Sequence, residues 1–361
     1  MELSYRPEQF TREYIDDQEN LRRVANTLGR AEAIGVDLEM VQRVERLPGG
    51  VQRWVHQLAL LQIASDELSV VIDPLRCTEL SALRAVMSGP SRKVFLGGGQ
   101  DISLLEQARI PARNVVDVGE IALGLFGRRQ DGMAALAHRI FGLTLDKSLR
   151  RTDWTARPLH PGLVSYAHQD AELTLLIYEW MKQHHPEAAA WHERVQFEPP
   201  LAPLPQWLSE ALESRSPVDA RAIIMELGLD ATKHQEKLAA DVNQLLDQTR
   251  APRLINKLLR VAGELELTPA RSRVVRLTHA PSSIIRAAAA RALGRMGDLD
   301  ADAAVLEGLQ QDPIEDVRQA AAGALNELRR PVEEVEESPE EVVSLDEGSL
   351  SALEQLRVSL E

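Results

Sequence analysis

The chain of 361 residues has one cysteine, Cys77, so neither an intrachain disulfide nor a cysteine-based zinc cluster can form. Aromatic residues make up only 4%, which points to helical, alanine-rich packing over part of the chain. No apolar run approaches the roughly 20 residues needed to cross a bilayer. The polar opening MELSYRPEQFTREYIDDQEN has no stretch of signal-peptide character. A soluble, cytoplasmic protein without a membrane partner is therefore expected. Neither a G-x-S-x-G elbow nor a Cys–His arrangement points to nucleophilic catalysis. A basic excess is also missing. The net charge of −14 argues against nonspecific coating of a duplex. That charge is unevenly spread, because Pro331–Glu361 holds ten acidic residues against one arginine, which leaves −5 for everything before it.

What is present divides by pattern into four regions. Residues 1–195 alternate strand-like and helix-like stretches, the mark of an α/β domain. The spacing predicts strands at Ile34–Met40, Gln57–Ser65, Leu68–Asp73 and Lys93–Gly97. It predicts helices at Gln18–Gly29, Ile102–Ala108, Asp117–Phe126, Gly132–Phe141 and Gly162–His184. Residues 196–250 begin with the proline-rich connector FEPPLAPLPQW and continue with helical periodicity. Residues 251–330 contain a repeat: Pro281-Ser-Ser-Ile-Ile-Arg286-Ala-Ala-Ala-Ala-Arg-Ala-Leu293 returns 32 residues later as Pro313-Ile-Glu-Asp-Val-Arg318-Gln-Ala-Ala-Ala-Gly-Ala-Leu325. A period of that size, with small residues on one helix face, marks stacked helical pairs. Two copies are too few for a stable stack, so Ala251–Leu277 and the helices before it are expected to complete it. Residues 331–361, acidic and free of aromatics, are expected to be a disordered tail.

Three short stretches carry the chemistry. In Ile34-Gly-Val-Asp37-Leu-Glu39-Met40, side chains alternate, so Asp37 and Glu39 share one face with their Cα atoms about 7 Å apart. Hard divalent cations favour such oxygen ligands, although a strand with one wet face reads the same way. In Lys93-Val-Phe-Leu-Gly97-Gly-Gly-Gln-Asp101 a strand meets a helix through glycines that fit no nucleotide-binding fingerprint. Asp101 suits a helix N-cap as well as a metal. In Tyr166-Ala-His-Gln-Asp170 the spacing of four sets Tyr166 and Asp170 one helical turn apart on the same face. With an ordinary pKa of about 10, the phenol is protonated at neutral pH, which suits hydrogen bonding to an attacking water.

In this order, Asp-x-Glu, then Asp after a later strand, then Tyr-x-x-x-Asp on a late helix, the chain resembles the DEDD superfamily of 3′–5′ exonucleases, in its tyrosine variant, and within it ribonuclease D. Further stretches carry the likeness: Gln57-Leu-Ala-Leu-Leu-Gln62-Ile, Val71-Ile-Asp73-Pro-Leu, Asp146-Lys147-Ser148 and Asp153-Trp154-Thr-Ala-Arg157-Pro-Leu159. The resemblance covers about the first half of the chain. It implies a ribonuclease H-like mixed sheet flanked by helices. It also implies two Mg²⁺ or Mn²⁺ ions held by Asp37, Glu39, Asp101 and Asp170, with Tyr166 beside them. The implied reaction is stepwise release of nucleoside 5′-monophosphates from a single-stranded 3′ end, RNA in preference. Trimming of DNA in repair, or a weakened nuclease fold serving as a protein scaffold, are the other functions these residues leave open. Lys147, Trp154 and Arg157 are expected to touch substrate or to pack, Gln62 is expected to be structural, and Asp73 and Asp117 are expected to cap. The repeats resemble HEAT repeats, standing where ribonuclease D usually carries helical nucleic-acid-binding domains, and offer a surface for a protein partner.

Overall fold

Ile34, Val36 and Leu38 point into an apolar core while Gly35, Asp37 and Glu39 point away, so their strand lies at the heart of a six-stranded sheet. The structure, a computed structural model, describes residues 4–46, 50, 52–146, 152–195, 203–213 and 220–330. Lys147, the start of the proline-rich connector and the acidic tail lie outside the described residues. The strands are β1 (Thr11–Ile15), β2 (Ala33–Arg46), β3 (Gln52–Ala64), β4 (Leu68–Ile72), β5 (Arg92–Phe95) and β6 (Val115–Asp117), in the spatial order β1-β4-β3-β2-β5-β6. β2–β3 and β3–β4 pair antiparallel, whereas β1–β4, β2–β5 and β5–β6 pair parallel. The sheet is thus mixed, as expected. β1 was not foreseen, being short and bearing little apolar pattern, and β6 was visible only as the strand-like stretch that ends at Asp117. β2 and β3 also run beyond their predicted ends as an exposed two-stranded ribbon that pairs Val44 with Trp54.

Helices cover both faces. On one lie α1 (Gln18–Leu28), α2 (Ala82–Ser88) and α3 (Gly99–Gln107), whose Leu21, Leu83 and Leu105 share a core with Val36, Ile63 and Ile72. On the other lie α4 (Val118–Phe126), α5 (Met133–Phe141), α6 (Pro161–His184) and α7 (Pro186–Arg194). Sequence capping sets the boundaries: Asp17 accepts from the Glu19 and Asn20 amides at 3.0 and 2.9 Å to start α1.

The remaining helices are α8 (Gln206–Glu213), α9 (Ala220–Glu226), α10 (Gln235–Gln248), α11 (Pro252–Glu264), α12 (Arg271–Leu277), α13 (Ser283–Met296), α14 (Leu299–Leu309) and α15 (Glu315–Leu328). The predicted repeat is α13 and α15. The Arg286 guanidinium donates to the Ala280 and Pro281 carbonyls at 2.9 and 3.1 Å, and Arg318 repeats this on Asp312 and Pro313 at 2.7 and 2.9 Å. The recurring Pro-x-x-x-x-Arg is therefore a device in which each arginine closes the turn that begins its own helix. Asp312 ties the copies together by accepting from Arg286. α8, α9 and α10 share one apolar cluster with α11–α15, from Trp207 to Leu325. The stack begins earlier than the repeat alone indicated. It also packs on the first region, where Ser283 Oγ donates to the Leu123 carbonyl at 3.1 Å and Arg253 pairs with Glu120 at 2.7 Å. Among the described residues, no helix is long and apolar enough to cross a membrane.

Candidate metal centre

Two elements must meet closely for the carboxylates to converge, and Gly35 lets them. A Cβ there would fall 2.2 Å from the Ala171 carbonyl oxygen and 2.8 Å from the Leu175 nitrogen. Only a residue without a side chain permits α6 to lie so near β2. Asp170, the neighbour of Ala171, then faces the strand that carries Asp37 and Glu39. Oxygens of Asp37, Glu39 and Asp170 lie within 4.8 Å of one another. A register shift after Glu39 leaves Ala59 of β3 as an extra residue beside the site.

Asp101 lines the same cleft, of about 530 Å³, but stands outside the close group of three. It sits in the first turn of α3, and the N-cap position belongs to Gly98, so the capping role considered for Asp101 is not its role. The junction is fixed from elsewhere. Asp117 accepts from the Gly97 and Gly98 amides at 2.9 and 3.1 Å, and also from Gly119 at 2.8 Å to start α4. Gly97 has φ of +74°, a left-handed conformation that glycine adopts freely. Its amide serves Asp117, in keeping with the absence of a phosphate-loop pattern.

The electrostatics follow from this crowding. Burial, followed by the charges of Asp170, Glu39 and Asp101, pushes the Asp37 carboxyl well above the usual carboxylate range. Burial and the charge of Asp117 raise Asp101 to about 6. Such a cluster is strained as bare anions and is suited to cations, which reverse the penalty. The Tyr166 hydroxyl bonds Asp170, and burial together with that carboxylate pushes the phenol far above its ordinary value. Tyr166 is thus a neutral hydrogen-bonding group at the edge of the carboxylates.

Of the two roles open to Trp154 and Arg157, substrate contact or packing, the structure shows packing. Trp154 is 2% exposed, packed among Leu60, Val71 and Leu163, with its ring centroid 6.1 Å from that of Tyr166. Arg157 pairs with Asp73 at 2.5 and 2.8 Å and donates to the carbonyls of Trp154 at 2.8 Å and Ala59 at 3.2 Å. Both therefore fasten the segment before α6 rather than present themselves to the cleft. Asp73, expected as a cap, does accept from the Leu75 amide, and it is also a buried anchor for Arg157 and Tyr14. Burial alone would raise its carboxyl, but the bonds from Arg157 and Tyr14 outweigh it and hold it below the usual range. Gln62, paired with Asp37 across the strands, is fully buried.

The anchors of α6 itself had gone unnoticed. Glu172 accepts from Arg12 at 2.8 and 2.6 Å and from Tyr5 at 2.9 Å, and His168 bonds Ser69 at 2.8 Å. A glycine inside a strand next to Asp-x-Glu was the one available signal for Gly35. Arg129, Asp131 and Asp146 also line the cleft.

Residues 12–185 match the 3′-5′ exonuclease family, and residues 242–326 match HEAT repeats. Ribonuclease D of Zymomonas mobilis is 32% identical over 162 residues, 43% of this chain and 39% of that protein. Ribonuclease D of Escherichia coli is 34% identical over 142 residues, 38% of this chain and 35% of that protein. A solved structure of E. coli ribonuclease D aligns over 97% of this chain and 83% of its own, with 21% identity and a TM-score of 0.45. The matched stretch spans well under half the length of each of these two relatives. The resemblance to ribonuclease D-like exonucleases, followed by HEAT-like repeats, is borne out.

Proposed function

We propose that the cleft at Asp37, Glu39, Asp101, Tyr166 and Asp170 is the active site of a metal-dependent 3′-5′ exonuclease, acting on single strands of RNA in preference. The observation that carries this is the convergence of three carboxylates within 4.8 Å, inside a region that matches the exonuclease family. The donor set fits the group: three oxygen ligands close together, with a fourth acid in the same cleft, suit hard divalent cations. Asp37, Glu39 and Asp170 would hold them, with Asp101 on the cleft wall. Two such ions would supply charge neutralisation for the attacking and leaving oxygens.

The remaining work falls to the chain. Tyr166, kept neutral by burial and by Asp170, spends its proton on that carboxylate and offers its oxygen to orient a water. Trp154 backs the Tyr166 ring, and Arg157 holds the segment that leads into α6. Asp117 fixes the glycine turn that aims α3, and with it Asp101.

The test is an end-labelled panel of RNA and DNA oligonucleotides with Mg²⁺, Mn²⁺ or chelator. Stepwise loss of mononucleotides from the 3′ end is expected, stopped by chelator, with RNA cleaved faster. In Y166F, kcat should drop about 10- to 100-fold with little change in KM. Release that persists unchanged in excess chelator rules out the metal reading, and equal rates on DNA rule out the RNA preference.

A further inference from the structure

The helical stack holds a concentration of positive charge that a chain of net charge −14 makes conspicuous. Lys257 and Arg260 lie three residues apart on α11, and Arg291 and Arg295 four apart on α13, spacings that put each pair on one helix face. α11 packs directly on α13. The four cations border a recess of about 280 Å³ whose lining, among the described residues, includes no acid. The small side chains of Ala288 and Ala292 leave its floor open.

These charges are incompletely answered within the fold. The half-buried Glu264 lies 3.9 Å from Arg260 and 3.8 Å from Arg295, so one long-range carboxylate is shared between two guanidinium groups. Lys257 donates to the Leu212 carbonyl at 2.5 Å, which answers a hydrogen bond but not a charge. Arg291 has its pKa lowered by partial desolvation, then by the charges of Arg295 and Arg128, with Asp316 opposing them. Crowded cations of this kind favour an anion.

The recess does not end at the repeats. A second hollow, of about 400 Å³, shares Asn256 and Arg291 with it and reaches Leu123 and Arg128 of the exonuclease region. Arg128 stands 4.0 Å from Asp316 there, again at exposed positions. Its neighbour Arg129 lines the carboxylate cleft. Consecutive residues, with Cα atoms about 3.8 Å apart, thus belong to the two sites.

We propose that this recess is a phosphate track, which holds the upstream part of a single nucleic-acid strand and passes its 3′ end over the Arg128–Arg129 turn into the carboxylate cleft. The proposal rests on the exonuclease reading for the occupant's identity. Cations set along two packed helices suit a phosphodiester chain, whose phosphates come in series. A dinucleotide held in the carboxylate cleft has no upstream strand to lay in the recess and should be indifferent to it.

The experiment uses the full chain and the double variant R291A/R295A, with R291K/R295K as the charge-keeping control. Binding of a single-stranded RNA of about 20 nucleotides is followed by fluorescence anisotropy in chelator, across salt concentrations. Hydrolysis of the same strand and of a dinucleotide is followed with Mn²⁺. R291A/R295A should raise KM for the long strand about tenfold and leave dinucleotide turnover within about twofold. It should also reduce the slope of log Kd against log salt by about 1.4, for two lost phosphate contacts, and R291K/R295K should recover most of each loss. An unchanged salt slope and long-strand KM would overturn the track, as would a wild type that does not bind the strand. If the strand binds through these arginines but nothing is hydrolysed, the exonuclease reading fails and the anionic track stands.

Discussion

Burial, then the charges of Asp170, Glu39 and Asp101, raise the Asp37 carboxyl, a cost that bound cations would offset. In the metal-free protein D37N should therefore increase the melting temperature. The same variant should cancel the rise that Mn²⁺ gives the wild type, and lower kcat at least about 100-fold. A variant that melts as before and still responds fully to Mn²⁺ would show that Asp37 holds no ion. Elsewhere burial acts on a histidine. His192 on α7 is buried, and this desolvation, partly opposed by Asp117, lowers its pKa to about 4. The unfolded chain takes up this proton first as pH falls. Stability from neutral His192 is therefore complete above about 6.5 and is lost on descent towards 4, by about 3 kcal/mol in all. Asp101, raised to about 6, acts in the opposite direction in metal-free protein, so the wild-type profile mixes the two. The informative quantity is the difference in urea stability between wild type and H192Q, which should shrink by about 3 kcal/mol from pH 7 to pH 4. A difference independent of pH would contradict the buried neutral imidazole.

At the level of elements, the approach of α6 to β2 decides whether the site exists. G35A puts a methyl group against the Ala171 backbone, and backbone on both sides cannot yield as a flexible side chain would. A loss of about 1–3 kcal/mol is expected, with a fall in kcat beyond what reduced stability explains, because Asp170 moves away from Asp37. Wild-type activity in G35A would show that this spacing is not critical. Much of this architecture was legible. β2 to β5 announce themselves through buried alternation or continuous apolar runs, and Tyr166 and Asp170 through helical spacing. β1 did not, since TREYI becomes a strand only by pairing with β4, and β6 showed only as a short strand-like stretch before Asp117. Trp154 and Arg157 were visible as residues, with packing and substrate contact both open, because Leu60, Val71 and Asp73, which decide for packing, lie far away in sequence. Gly35 was hidden for the same reason: its partner is the backbone of a distant helix.

Across the whole molecule, the exonuclease-like region and the helical stack are joined by more than a tether. Arg253 pairs with Glu120, Ser283 donates to Leu123, and the Trp191 indole donates to the Arg250 carbonyl at 2.8 Å. The first two contacts lie on α4, the helix that leads into the Arg128–Arg129 turn. The apolar core from Trp207 to Leu325 is continuous, so no division within the stack leaves both sides covered. Residues up to Leu328 form one compact unit. Heat should accordingly unfold the exonuclease region and the repeats in one cooperative transition, with calorimetric and van't Hoff enthalpies in agreement. Mn²⁺ added at the carboxylates should shift that entire transition upwards, the repeats included, because a ligand of the folded state stabilises all that unfolds with its site. Two separate transitions, only one of them responsive to Mn²⁺, would mean that the contacts through α4 are too weak to couple the halves.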